Sequence, residues 1–185
     1  MRKRSFVLVA LVLGGVLVVT SLAIAAGGKK NLKSGDLVGF EENPDISTAA
    51  TGSFRVTLDD DARTLTYRLT YSGLEGSVVQ AHIHFGKTAV NGGVTVFLCG
   101  TGTGGTAGPP GTPTCPASGT VTRTVAAADI LAPVAGGVAQ GIEAMNYEEL
   151  AAAMRAGHTY ANVHSSKWPT GEIRAQIDGK SNDDN

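Results

Sequence analysis

An excess of charge of either sign is missing from this chain. Its 15 basic and 16 acidic residues leave a net charge of −1, and beyond the first few residues no basic run stands out. That excludes a nucleic-acid surface read from charge. There are only two cysteines, Cys99 and Cys115, and neither sits in a metal-binding motif. No Ser-His-Asp or paired-carboxylate pattern stands out, and no internal repeat. The glycines of "NGG" at 91–93 do not make a phosphate loop, because no helix follows them; they predict a hairpin turn with glycine supplying positive φ. Histidine is scarce as well, with four in the chain.

What is present begins with an apolar run. "MRKRS" is followed by "FVLVALVLGGVLVVTSLAIAAG". A basic stretch, an apolar stretch and the small-residue site Ala23-Ile24-Ala25 predict a signal peptide over residues 1–25, cleaved after Ala25. The run is also long enough to serve as an uncleaved anchor, the one way this chain would hold a membrane. Either way the remainder lies outside the cytoplasm: secreted, periplasmic or at the cell surface. Its length suits one domain. In that oxidising setting Cys99 and Cys115 read as one disulfide. It would close "GTGTGGTAGPPGTPT" and contribute roughly 3 kcal/mol through chain entropy.

The rest alternates with period two between turn residues. Phe54, Val56 and Leu58 share one face of "SFRVTL", and Leu65, Tyr67, Leu69 and Tyr71 one face of "TLTYRLTY". With "DDDAR" between them these segments predict a hairpin with one buried face. Further strands are predicted at Asp36–Glu41, Val79–Phe85, Val94–Cys99, Thr120–Val125, Thr159–His164 and Glu172–Ile177. About eight short strands predict an all-β antiparallel sandwich or barrel. "NYEELAAAMRAG" predicts one short helix, with Asn146 as N-cap, Glu149 completing a capping-box variant and Gly157 at C′. Leu150 and Met154 would dock it. A polar, acidic tail follows from 179 to 185.

"AHIHFG" at 81–86 is the candidate for chemistry. On a strand, His82 and His84 share a face about 7 Å apart. Two imidazoles there converge on one metal at about 2.0–2.1 Å per bond. In "TYANVHSSKWPTGEIRAQI" the same parity places His164 and Arg174 opposite the core residues. Three neutral imidazoles suit zinc or copper, and the Irving–Williams order favours Cu²⁺. They would have to lie within about 4 Å of a common point. His158, about 20 Å along an extended strand from His164, is left out. Glu172 shares the face of Arg174, so an ion pair or a bond to a ligating histidine is expected. Trp168 is expected to cap the sandwich.

These motifs resemble a known family. "AHIHFGKTAVNGGVTVFLC", then "LAAAMRAGHTYANVHSSKWPTGEIRAQI", is similar to the CHRD domain, named from chordin and found in many secreted microbial proteins. "GDLVGFEENP" resembles the opening of that domain, with Glu42 or Glu41 in its acidic place; Ala175 stands where the family usually has glycine. The resemblance spans about residues 33–178. A more distant one links "AHIHFG" to the copper strand of copper–zinc superoxide dismutases, Greek-key sandwiches with an intrasubunit disulfide. It implies copper ligands at His82, His84 and His164 and an anion-steering role for Arg174. The bridging histidine and the remaining zinc ligands of that enzyme have no counterpart here.

The expectation is a superoxide-dismutase-like β-sandwich that acts as a secreted, non-catalytic module, holding copper or zinc through His82, His84 and His164. The alternatives are a copper-only superoxide dismutase-like enzyme using Arg174, and a structural or adhesive domain whose histidines tie the chain together. A protein or surface partner is expected, not nucleic acid.

Overall fold

A computed structural model describes residues 28–102 and 107–179. The expected signal peptide over 1–25 and the tail beyond Gly179 lie outside the described residues. The fold is all-β with one short helix. Eight strands form one sheet: β1 (Lys29–Val38), β2 (Thr51–Asp59), β3 (Thr64–Ser72), β4 (Val78–Phe85), β5 (Gly93–Gly100), β6 (Gly119–Ala126), β9 (Thr159–Ser165) and β10 (Ile173–Asp178). Their order is β5-β4-β9-β10-β1-β2-β3-β6, and every neighbouring pair is antiparallel. The last two strands of the chain are thus inserted between its first and fourth. That insertion brings the two histidine-bearing segments together.

The predicted hairpin forms with Phe54 opposite Leu69 and Val56 opposite Tyr67. Phe54, Val56, Leu58, Leu65, Tyr67, Leu69 and Tyr71 are all buried. Bulky apolar side chains at every second position drive this half of the sheet to curl around its own core. The sheet curls until β5 and β6 approach, without a ladder between them. Side chains and loops cross the seam instead. The Tyr67 hydroxyl donates to Leu98 O, and that of Tyr71 to Pro116 O at 2.6 Å. Cys99 and Cys115 are joined in a disulfide with Cα atoms 5.0 Å apart. Leu131 N donates to Thr95 O at 2.8 Å, and Gly100 N to Pro113 O at 3.0 Å.

Several local expectations need correction. The opening strand ends at Val38, not Glu41, because Gly39–Glu41 make a 3₁₀ turn. Gly39 O accepts from both Glu42 N and Ile46 N there, and a Cβ on Gly39 would lie 2.1 Å from Ile46 O. A small ribbon of β7 (Val134–Ala135) and β8 (Val138–Ala139) was not anticipated. "VAGGVA" carries its signal, since Gly136 and Gly137 take φ values of 56° and 82°, as a two-residue hairpin turn of positive φ requires. The glycines of "NGG" serve close approach and not positive φ. A Cβ on Gly92 would sit 1.8 Å from Phe85 O and one on Gly93 2.3 Å from Val134 N, while the positive φ of that turn falls on Ala89, at 59°.

The helix α1 spans Tyr147–Arg155. Asn146 Oδ1 accepts from Glu149 N at 3.1 Å, as an N-cap does. The reciprocal half of the capping box is not made, because the Glu149 carboxylate takes Glu143 N at 2.7 Å. Gly157 closes the helix at φ 70°, and Leu150 and Met154 are fully buried. Asp60, in the β2–β3 turn, anchors α1 by accepting from Arg155 at 2.6 Å and from Tyr147 at 2.8 Å.

Candidate metal centre

Strand β4 pairs with β9 so that Gln80 faces His164, His82 faces Asn162 and His84 faces Tyr160. On β10, Arg174 faces Asn162. Side chains on one face of adjacent strands meet directly and on the diagonal. The face opposite the core therefore gathers His82, His84, Tyr160, Asn162, His164 and Arg174. Parity placed the three histidines and Arg174 on this face. It did not reveal that the face is buried: His82 is 2 % exposed, His84 8 %, His164 5 % and Arg174 2 %.

Loops roof it over. The segment from Gly86 to Gly92 is held down by its carbonyls. Gln176 donates to Gly86 O at 2.9 Å, Asn43 to Ala89 O at 2.9 Å, and Arg174 Nη2 to Lys87 O and Val90 O at 3.1 and 2.9 Å. Arg174 Nη1 also donates to Asn91 Oδ1 at 3.3 Å. The turn from Ser166 to Gly171 closes another side.

The ring nitrogens can be assigned from their partners. His84 Nδ1 lies 2.8 Å from Gly92 O, and His164 Nδ1 3.0 Å from Pro169 O. A carbonyl only accepts, so both Nδ1 atoms carry protons and both Nε2 atoms present lone pairs. His82 Nδ1 is 3.1 Å from His164 Nε2 and so donates to it. His82 Nε2 and His84 Nε2 are buried without any hydrogen-bond partner. One nitrogen from each of the three residues lies within 4.8 Å of the others. Three atoms so spaced meet the requirement of about 4 Å from a common point. Donors on a shared ion at 2.0–2.1 Å stand roughly 3.5 Å apart, so only the wider separations in the cluster would have to shorten around one, by about 1 Å at most.

Burial keeps these imidazoles neutral. It is the main cause that lowers His82 to about 2, with His164 and His84 adding to it. His84 and His164 each fall to about 4, again chiefly through burial. Neutral imidazole is the ligating form. Tyr160 stacks on His84 with centroids 4.8 Å apart, and the Arg174 guanidinium lies 3.4 Å over the Tyr160 ring. The edge of Phe97 meets His82 at 4.4 Å between centroids.

A carboxylate belongs to this region too. Of the two glutamates left open by the sequence, Glu41 is exposed and Glu42 is buried. Burial raises Glu42 to about 7 against the pull of Arg174 and a hydrogen bond from Asn162, and its Oε1 has no partner. Glu172 behaves otherwise than expected. It is buried and pairs with neither Arg174 nor a histidine; its Oε1 accepts from Thr48 Oγ1 at 2.9 Å and Glu75 N at 2.8 Å. Trp168 is half-buried in the roof turn, with Lys167 5.3 Å over its ring. His158 is exposed and takes no part in the cluster. Tyr160 and Asn162 were legible only as same-parity neighbours of His164. Nothing in their identity revealed that they would be buried against the histidines.

The family model of the CHRD domain matches residues 34–177. No curated protein and no solved structure matches the chain.

Proposed function

This chain belongs to the CHRD domain family, and from that membership and the histidine cluster we propose that it is an extracytoplasmic β-sandwich module that holds one copper or zinc ion through His82, His84 and His164. One observation carries the reading: two buried imidazole nitrogens, His82 Nε2 and His84 Nε2, have no partner. A buried polar atom without a partner costs free energy. Both belong to neutral imidazoles of a cluster in which one nitrogen from each of three residues lies within 4.8 Å of the others, which is the chemistry a borderline cation takes. The Nδ1–H bonds of His84 and His164 to Gly92 O and Pro169 O fit the same reading, since a ligating histidine normally donates its other ring proton to a carbonyl or carboxylate.

The bound ion would supply a cross-link between β4 and β9. The chain's own residues do the rest. Arg174 pins the Gly86–Gly92 segment over the cluster, Tyr160 fixes the plane of the His84 ring, and the backbone carbonyls set the tautomers. For His82 to ligate through the nitrogen that faces His164, its proton must pass to Nε2.

Support for turnover of superoxide is weaker. Such chemistry needs an open ligand position and an anion path. Arg174 is turned to carbonyls, and none of the four described cavities is lined by a cluster histidine.

The test is calorimetric titration of the signal-free protein with Cu²⁺ and with Zn²⁺, beside the His164→Ala variant. The expected result is one ion per chain, with affinity at least 100-fold weaker in the variant. Absence of binding, or binding indifferent to His164, would leave the cluster as a hydrogen-bonded tie between strands.

A further inference from the structure

The other half of the sheet carries an arrangement that strand register alone discloses. Lys33 on β1 faces Arg55 on β2, Arg55 faces Arg68 on β3, and Arg68 faces Thr122 on β6. Three cations thus stand in one row across three adjacent strands, all exposed on the outer face. Like charges directly opposite one another work against strand pairing. Among the described residues no carboxylate lies within ion-pair distance of Arg55 or Arg68, and Arg68 reaches only Thr120, at 3.5 Å. The acids of this face are peripheral. Asp178 lies opposite Lys33 at the β10 end of the row, Asp59 is paired with Lys29 at 3.4 Å, and Asp36 lies opposite Ser53 in the next rung.

Hydroxyls surround the row. One neighbouring rung runs Asn31, Thr57, Thr66, Thr124, and the other Ser53, Thr70, Thr120. Thr66 bonds Thr124 at 2.8 Å and Thr70 bonds Thr120 at 2.9 Å. Each hydroxyl keeps acceptor capacity after such a bond. A groove of about 370 Å³ lies along one side of the row, lined by Asn31, Arg55, Thr57, Thr66, Arg68 and Thr122. A second, of about 420 Å³, lies beside Asp36, Ser53 and Thr70 and is lined by none of the three cations, so the first groove is the one the proposal uses.

We propose that this face binds an acidic polysaccharide, its carboxylate or sulfate groups meeting Lys33, Arg55 and Arg68 and its hydroxyls meeting the threonine rungs. The composition of the face selects that partner. The aromatic residues of β2 and β3, Phe54, Tyr67 and Tyr71, all point into the core, so there is no platform for stacking nucleic-acid bases. Among the described residues the exposed large apolar side chains, Phe40, Val90, Val134, Val138 and Met145, lie outside β1, β2, β3 and β6, so these four strands present no large apolar side chain to a membrane. A polar, hydroxyl-rich polyanion complements both the cation row and the hydroxyl rungs on either side of it.

The experiment is affinity electrophoresis of the signal-free protein through gels holding dextran sulfate, polygalacturonate or neutral dextran. It is repeated with the double variant Arg55→Gln/Arg68→Gln, with single-stranded DNA and with anionic phospholipid vesicles as competitors. Retardation is expected by both acidic polymers and not by neutral dextran. It should weaken with added salt, and the double variant should bind at least ten-fold more weakly with a shallower salt dependence. Because both arginines are exposed, an unchanged melting temperature shows the variant to be folded. His164→Ala should bind the polymers as the wild type does, which separates this face from the histidine cluster. Equal binding by the double variant, no retardation at low salt, or displacement by DNA or vesicles at equal charge concentration would overturn the assignment.

Discussion

Strands β2 and β9 share the same alternation of apolar and polar residues, yet they end in different surroundings. In β2 the apolar residues are buried and their neighbours half-buried or exposed, whereas all seven residues of β9 are buried. The difference spreads to whole halves of the sheet. The β1-β2-β3-β6 half keeps water on its outer side and covers it with threonine, serine, arginine and lysine. The β4-β9-β10 half lies under a roof, and its outer side carries three histidines, an asparagine, a tyrosine and an arginine. Alternation tells which residues share a face; it does not tell whether that face is wet. What a polar side chain must do depends on that second fact. On the wet half water satisfies it. Under the roof it must find a partner within the protein, be neutral, or await a ligand.

The largest effect that sharpens this contrast is expected at Arg174. Replacing it with methionine deprives Lys87 O and Val90 O of their donor and leaves Glu42 without a neighbouring cation. Breaking a buried charged network of this kind costs about 3–5 kcal/mol. Urea unfolding of Arg174→Met measures it; a loss below about 1 kcal/mol would mean that the roof is not held by this side chain.

Acid comes next. His82, His84 and His164 are lowered in the fold, to about 2, 4 and 4, from an ordinary 6.5. Between those values the unfolded chain binds more protons than the folded one. Stability is therefore complete above about pH 6.5 and falls as pH drops toward 4. Glu42, raised to about 7, acts in the opposite sense, favouring the fold at low pH and losing that contribution as pH rises through 7. One group against three reduces the acid loss without reversing it. On the wet half Asp59 is lowered below 3.8, mainly by its bond from Ala62 N, so it yields only in stronger acid. Thermal melts across pH 4–8 should show the loss, and the His82→Gln variant should reduce it.

The smallest effect is expected on the wet side. Arg55→Met should change stability by no more than about 0.5 kcal/mol, or raise it slightly by relieving the charge row. A loss as large as that of Arg174→Met would show that exposure is not what separates the two halves.

Much of this was legible in the sequence. Period two gave the strands, the hairpin and the all-β class, and parity put His82, His84, His164 and Arg174 on one kind of face. Adjacency was not legible, because β9 enters between β4 and β10 through pairings across about 80 residues of chain, as between His82 and His164. Nor was the cation row. Lys33, Arg55 and Arg68 are dispersed in the sequence and form no basic run. Register alone lines them up. Glu42 and Glu41 looked alike because a 3₁₀ turn, not a strand, decides which of them points inward.

The seam at β5 has a consequence for the protein among its own copies. An open strand edge offers unmade backbone hydrogen bonds to any passing chain, and growth into fibres starts there. Here Thr95 O is bonded by Leu131, Leu98 O by Tyr67, and Gly100 N by Pro113, with the disulfide binding the covering segment in place. At these positions of β5 the template is spent before a second molecule arrives. Reduction of Cys99–Cys115 would loosen that cover, so the oxidised chain should stay dispersed when concentrated, and the thiol form should be the one that polymerises.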